Sequence, residues 1–180
     1  MKKLLMTLCL FLCFAVPAQA AAPDAWVKGL WIKAAGLPKG TEMEDMTEKK
    51  SEPYFLCTIG ETPDGPAVSI SIGRYPQNAL ATRLAKLDKK ALAQLDGSQN
   101  FFKTAKNLKF TEVPKFSGKF SYPCQMASYT RPDTWESNTI LFIQTDQYMF
   151  VVGVFKDTRD KKYTAADIEK WLMNLKMVEQ

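Results

Sequence analysis

The chain has 180 residues, 46% hydrophobic and 24% charged, with a formal net charge of +5 and no histidine. That size suits one domain with a real core, and the mild basic excess does not point to nucleic acid or to an anionic membrane. Without histidine there is no Ser–His or Cys–His base and no imidazole metal ligand.

The first twenty residues read as an export signal. Met1-Lys2-Lys3 is a short basic region, Leu4 to Val16 is an apolar run too short to span a bilayer comfortably, and Ala18-Gln19-Ala20 is a small-residue cleavage site. Cleavage after Ala20 leaves residues 21–180 as a single domain, with a net charge of +3 once Lys2 and Lys3 are gone. A lipoprotein signal does not fit, because Phe11-Leu12 precede Cys13. The periplasm is the expected location, with secretion as the alternative, and no transmembrane segment is expected in the mature chain.

Asp24 to Ala35 sets Val27, Leu30, Trp31 and Ala34 on one helical face, with Asp24 as a cap and Gly36 and Pro38 beyond the end. Gly29 weakens that helix, and a strand through residues 30–34 is its rival. Residues 39–52 are charge-dense and read as an exposed connection. Glu42, Glu44, Asp45 and Glu48 lack the spacing of a calcium loop. Two β-runs follow, 54–60 and 67–73, on either side of a Pro63-Asp64-Gly65 turn signature. Phe55, Cys57 and Ile59 share a face of the first, and Val68, Ile70 and Ile72 share a face of the second, so one side of a hairpin meets a core.

Residues 76–97 read as one amphipathic helix. Leu80, Leu84, Leu87, Ala91 and Leu95 recur at spacings of three and four, Pro76 suits the start and Gly97 the stop. Arg83, Lys86, Lys89 and Lys90 take the solvent side. Residues 98–106 suggest a helical turn with Phe101, Phe102 and Ala105 inward, and 108–113 a weak strand. Residues 118–130 read as a strand interrupted at Pro123, hence at an edge or a bulge, because proline donates no ladder bond. Residues 131–138 form a loop. The apolar runs 139–144 and 148–155 read as a central hairpin buried on both faces. The chain closes with a helix over 164–178, with Thr164 and Asp167 as a capping box and a stripe of Ile168, Trp171, Leu172 and Leu175. The order argues for an α+β fold: an antiparallel β-sheet with helices packed on both of its faces.

Loss of the leader removes Cys9 and Cys13 and leaves Cys57 and Cys124. In an oxidising compartment two cysteines most often pair, here worth roughly 4 kcal/mol through the long loop they close. A metal site, a thiol nucleophile and two buried free thiols are the alternatives, and the first two want histidines that the chain lacks.

The stretches "AVSISIGRYPQNALATRLAKL", "FSGKFSYPCQMASYT", "ILFIQTDQYMFVVGVFKD" and "ADIEKWLMNL" follow one another in an order that resembles the Mog1/PsbP-like fold. The resemblance covers most of residues 54–176. It implies a non-catalytic binding or scaffolding module, and it supplies no functional residues.

No phosphate-cradling glycine loop is present, and no cofactor is called for. The loop at 131–138 gathers Arg131, Asp133, Trp135 and Glu136. Tryptophan and arginine dominate binding energy at interfaces, so these four are the candidate partner-binding residues, with Trp135 partly exposed as the anchor. Asp133 and Glu136 are also the carboxylate pair that a small envelope hydrolase would use. The leading expectation is an exported binding module for an envelope protein or a small ligand.

Overall fold

The computed structural model describes residues 29–46, 53–97 and 100–179. The expected leader, the start of the first expected helix and residues 47–52 lie outside the described residues. The two longest apolar runs become strands β7 (Glu136–Gln144) and β8 (Tyr148–Asp157), as their composition requires. With β2 (Glu42–Asp45), β3 (Tyr54–Thr62), β4 (Gly65–Pro76), β5 (Lys106–Glu112) and β6 (Cys124–Arg131) they build one seven-stranded antiparallel sheet in the order β2-β3-β4-β8-β7-β6-β5. The last strand of the second meander, β8, inserts beside the last strand of the first, β4, and occupies the centre.

A central strand needs both faces covered. Phe150, Val152 and Val154 of β8 join one buried cluster, and Met149 and Val151 join the other. The first cluster is roofed by α4 (Pro114–Phe120), α5 (Ala165–Asn174) and a two-stranded ribbon, β1 (Leu30–Lys33) with β9 (Lys176–Glu179). The second is roofed by α1 (Ala79–Ala85), α2 (Lys89–Asp96) and α3 (Phe101–Thr104). Gly153 interrupts the β8 run because the Phe155 ring and the Ser71 hydroxyl lie 2.8 Å from where its Cβ would sit.

The hairpin expected around Pro63-Asp64 forms, with Thr62 opposite Gly65 and with Phe55, Cys57, Ile59, Val68, Ile70 and Ile72 all in one core cluster. The capping box of α5 forms as well: Asp167 N donates to Thr164 Oγ1, and Thr164 N donates to Asp167 Oδ2.

Five expectations are corrected. Residues 30–33 are strand, not helix. Gly29 sits at φ +81°, and β1 pairs with β9 so that both Trp31 and Ile32 are buried. The closing helix accordingly stops at Asn174, and Lys176–Glu179 extends to meet β1. The helix over 76–97 is two helices. Leu87 turns left-handed at φ 56°, and the Asp88 carboxylate caps α2 by accepting from the backbone of Lys90 and Ala91. Residues 118–120 belong to α4, not to a strand, because Pro114 starts a helix whose Phe116 and Phe120 bury one face. Pro123 therefore precedes β6 instead of interrupting it. Phe102, expected inward, is 57% exposed, and only Phe101 enters the core.

The disulfide expectation is corrected too. Cys57 on β3 and Cys124 on β6 are both buried, both free and both in the same core cluster. Three strands separate β3 from β6, so four strand spacings of about 4.8 Å put the two roughly 19 Å apart across the sheet. A bridge needs Cα atoms within roughly 7 Å. Alternation gave each cysteine its face correctly, but strand order decides distance, and strand order is not a local property.

Candidate functional site

The two helices over the first cluster do not close it completely. Between α4 and α5 a groove of about 520 Å³ reaches the sheet. Its walls are apolar: Val113 and Phe116 on the α4 side, Ile168 and Leu172 on α5, and Met126 rising from β6. Its floor is polar, with Ser137 and Thr139 of β7 and Lys156 of β8. Strand pairing continues that floor outward, because Lys109 of β5 lies opposite Ser128 of β6, and Ser128 opposite Thr139. The hydroxyls and lysines sit where neither helix covers the sheet, which is why polar residues occupy core-facing registers there.

One ion pair spans the groove. Lys115 Nζ of α4 lies 2.6 Å from Glu169 Oε1 of α5, with both side chains more than half exposed. Lys156 lines this groove and also a cleft at the end of β8, and its Nζ is held by two backbone carbonyls, Asp157 O at 2.8 Å and Asp160 O at 2.7 Å. The volume lies in the range of small-ligand pockets, and apolar walls with a few placed polar groups are their usual lining.

The four residues singled out from the sequence part company in the structure. The turn between β6 and β7 contains Pro132 to Trp135, with Arg131 opposite Glu136 at its base. Arg131 leaves the turn and enters the second cluster, where its guanidinium pairs with Asp96 at the end of α2. Tyr129 donates its hydroxyl to the other Asp96 oxygen at 2.7 Å. Burial, and then that bond to Asp96, push the Tyr129 hydroxyl well above the ordinary phenol range. Arg131 thus fastens helix to sheet. Asp133 stands exposed in the turn. Trp135 is 53% exposed, with a left-handed φ of 58°.

The cation beside Trp135 is Arg159, whose guanidinium carbon lies 5.8 Å from the indole centroid. Arg159 also pairs with Asp64 in the β3–β4 turn and Asp157 at the end of β8, each at 2.6 Å. Hydrogen bonds from Arg159 hold the Asp157 carboxyl down at about 2. A cleft of about 180 Å³ opens beside this clamp, entered by Glu136 and Thr134 but not by Asp133. The carboxylate pair suggested by the sequence therefore does not converge on one cavity.

Sequence reasoning missed the groove. Residues 114–117, which carry most of its α4 wall, fall in no predicted element, and its floor depends on which strands become neighbours. Ile168 and Leu172 were recognised as an apolar stripe, but nothing local indicates that the stripe is left partly uncovered. Among the described residues no group of three or more Cys, Asp or Glu side chains is placed to hold a metal ion, and no helix is long and apolar enough to cross a membrane. A scan against protein-family models gives no match for this chain, and a search of curated proteins gives none.

Proposed function

We propose that the chain is an exported, non-catalytic binding protein of the cell envelope, and that the groove between α4 and α5 takes a small amphipathic anion. The observation that carries this reading is the groove itself: apolar walls of Val113, Phe116, Met126, Ile168 and Leu172 over a floor of Ser137, Thr139 and Lys156. An alkyl segment removes apolar wall area from water at about 25 cal/mol per Å². The head group then meets Lys156 and the Ser137 and Thr139 hydroxyls. Glu169 does not oppose it, because Lys115 neutralises that carboxylate at the rim.

Export rests on the leader pattern of residues 1–20. The Mog1/PsbP-like resemblance belongs to the same proposal, and an antiparallel sheet with helices on both faces supports it.

The test is calorimetric titration of the full chain with dodecanoate and, separately, with a neutral dodecyl glycoside. Dodecanoate binds with one-to-one stoichiometry and more tightly than the glycoside. Ile168→Glu, which puts a charge on the wall, abolishes both. Equal affinity for the two amphiphiles, or binding untouched by Ile168→Glu, contradicts the proposal.

A further inference from the structure

We infer that the β5 edge of the sheet docks on an anionic lipid bilayer, with Phe102 as the side chain that enters it. The basic excess of the whole chain is mild, but the fold does not spread it evenly. Residues 101–120 hold five lysines and one glutamate, a net +4, whereas residues 21–180 together carry only +3. The same twenty residues form α3, β5 and α4, and strand order brings them to one edge. β5 is an outer strand, Phe101 of α3 shares the second cluster with Leu108 and Phe110 of β5, and α4 packs on the first. The opposite outer strand, β2, carries Glu42, Glu44 and Asp45 and no base. Six strand spacings of about 4.8 Å separate the two edges, so positive and negative charge stand roughly 29 Å apart. A charge distribution of that kind turns the β5 edge towards an extended negative surface.

Lys103, Lys106, Lys109, Lys115 and Lys119 are all exposed. Lys115 pairs with Glu169, and Lys119 Nζ lies 5.2 Å from the centroid of the Phe120 ring. Lys106 Nζ donates to Lys103 O at 2.8 Å, which holds its ammonium against the end of α3. Lys103 and Lys109 form no ion pair among the described residues. Their charge at this edge is therefore uncompensated.

Phe102 decides what kind of negative surface this is. It is 57% exposed, it precedes Lys103 in α3, and it leans edge-on against Phe101 with 5.3 Å between centroids. An exposed apolar ring among ammonium groups suits a surface whose charges meet head groups while its tip reaches the acyl boundary. An acidic protein surface uses the lysines and leaves the ring without an apolar layer to enter.

The experiment is sedimentation of the full chain with vesicles of phosphatidylcholine alone and of phosphatidylcholine mixed with phosphatidylglycerol. Residues 1–20 are common to every variant, so differences between variants report on the edge. The chain binds the phosphatidylglycerol vesicles at least about tenfold more tightly at low salt, and the difference shrinks as salt screens the lysines. Lys103→Gln with Lys109→Gln weakens that binding about 25-fold, at about fivefold per lysine. Phe102→Ser weakens it about tenfold. The melting temperature is little changed in either variant. Lys89→Gln with Lys90→Gln removes the same charge from exposed positions of α2 and leaves binding within about twofold. Equal binding to the two kinds of vesicle overturns the inference, as does an equal loss in the two lysine pairs. Binding untouched by Phe102→Ser also overturns it, since it marks a surface for any polyanion, an acidic protein included. Dodecanoate binding in the groove is unchanged in Phe102→Ser, so the membrane result and the groove result are read separately.

Discussion

Arg131 shows how a residue chosen for its type as a partner-binding candidate can serve a structural end. Its guanidinium and the Asp96 carboxylate are nearly buried, and Tyr129 donates its hydroxyl to the same carboxylate. A buried pair adds little net stability when intact, but removing one partner strands the other charge. Asp96→Asn is expected to cost roughly 3 kcal/mol in urea denaturation, and Tyr129→Phe about 1 kcal/mol. The cysteines make a second case. Burial raises both the Cys57 and the Cys124 thiol from 9.0 to about 11. The unfolded chain ionises these thiols first, so stability is full below pH 9 and declines as pH rises from 9 towards 11. Melting temperature should fall across that window, and Cys57→Ala should flatten part of the fall. Native thiols should also resist a thiol reagent at pH 8, where the denatured chain reacts. The faces of Cys57, Cys124 and Trp135 were legible from alternation and loop position. The partners of Arg131 and Trp135 were not, because Asp96 and Arg159 come from distant elements.

At the scale of elements, the apolar β-runs were read correctly, whereas the longest predicted helix is broken in two and the first is a strand. The β3–β4 hairpin follows from alternation and turn chemistry, and the β7–β8 hairpin from two nearly continuous apolar runs. The helix over 76–97 keeps its inward Leu84 and Ala91, but Asp88 offers a cap that competes with continuation, and Leu87 accepts a left-handed turn to use it. The ribbon of β1 and β9 joins the two ends of the described chain, a pairing that no local window reveals. Helix α4 matters most for the proposed ligand site, because it carries Lys115 across from Glu169. That pair is exposed, so its removal should change stability by less than about 1 kcal/mol. Its effect on an anionic ligand is larger and has a sign. Lys115→Gln leaves Glu169 unpaired at the mouth and should weaken dodecanoate binding. Glu169→Gln leaves Lys115 free and should tighten it. Calorimetry of the two variants checks the pair, and shifts in the same direction would mean that the ion pair does not border the ligand.

The whole molecule is a sheet covered unevenly. Three helices and α2's buried tie to β6 close the second face, whereas α4, α5 and the terminal ribbon leave a gap over β6, β7 and β8 on the first. The α+β class and the burial of both faces of β8 were readable from the apolar runs. The gap was not, since it arises from helix placement and from polar residues that look, in sequence, like ordinary strand exteriors. The account stands on that gap being a ligand site. The most direct measurement is a carbon-13 methyl spectrum of the full chain with and without dodecanoate. The account predicts shifts concentrated at Met126, Ile168 and Leu172, with Leu92 and Ile140 on the opposite face unmoved. Shifts absent from the groove methyls, or equal on both faces of the sheet, would contradict it.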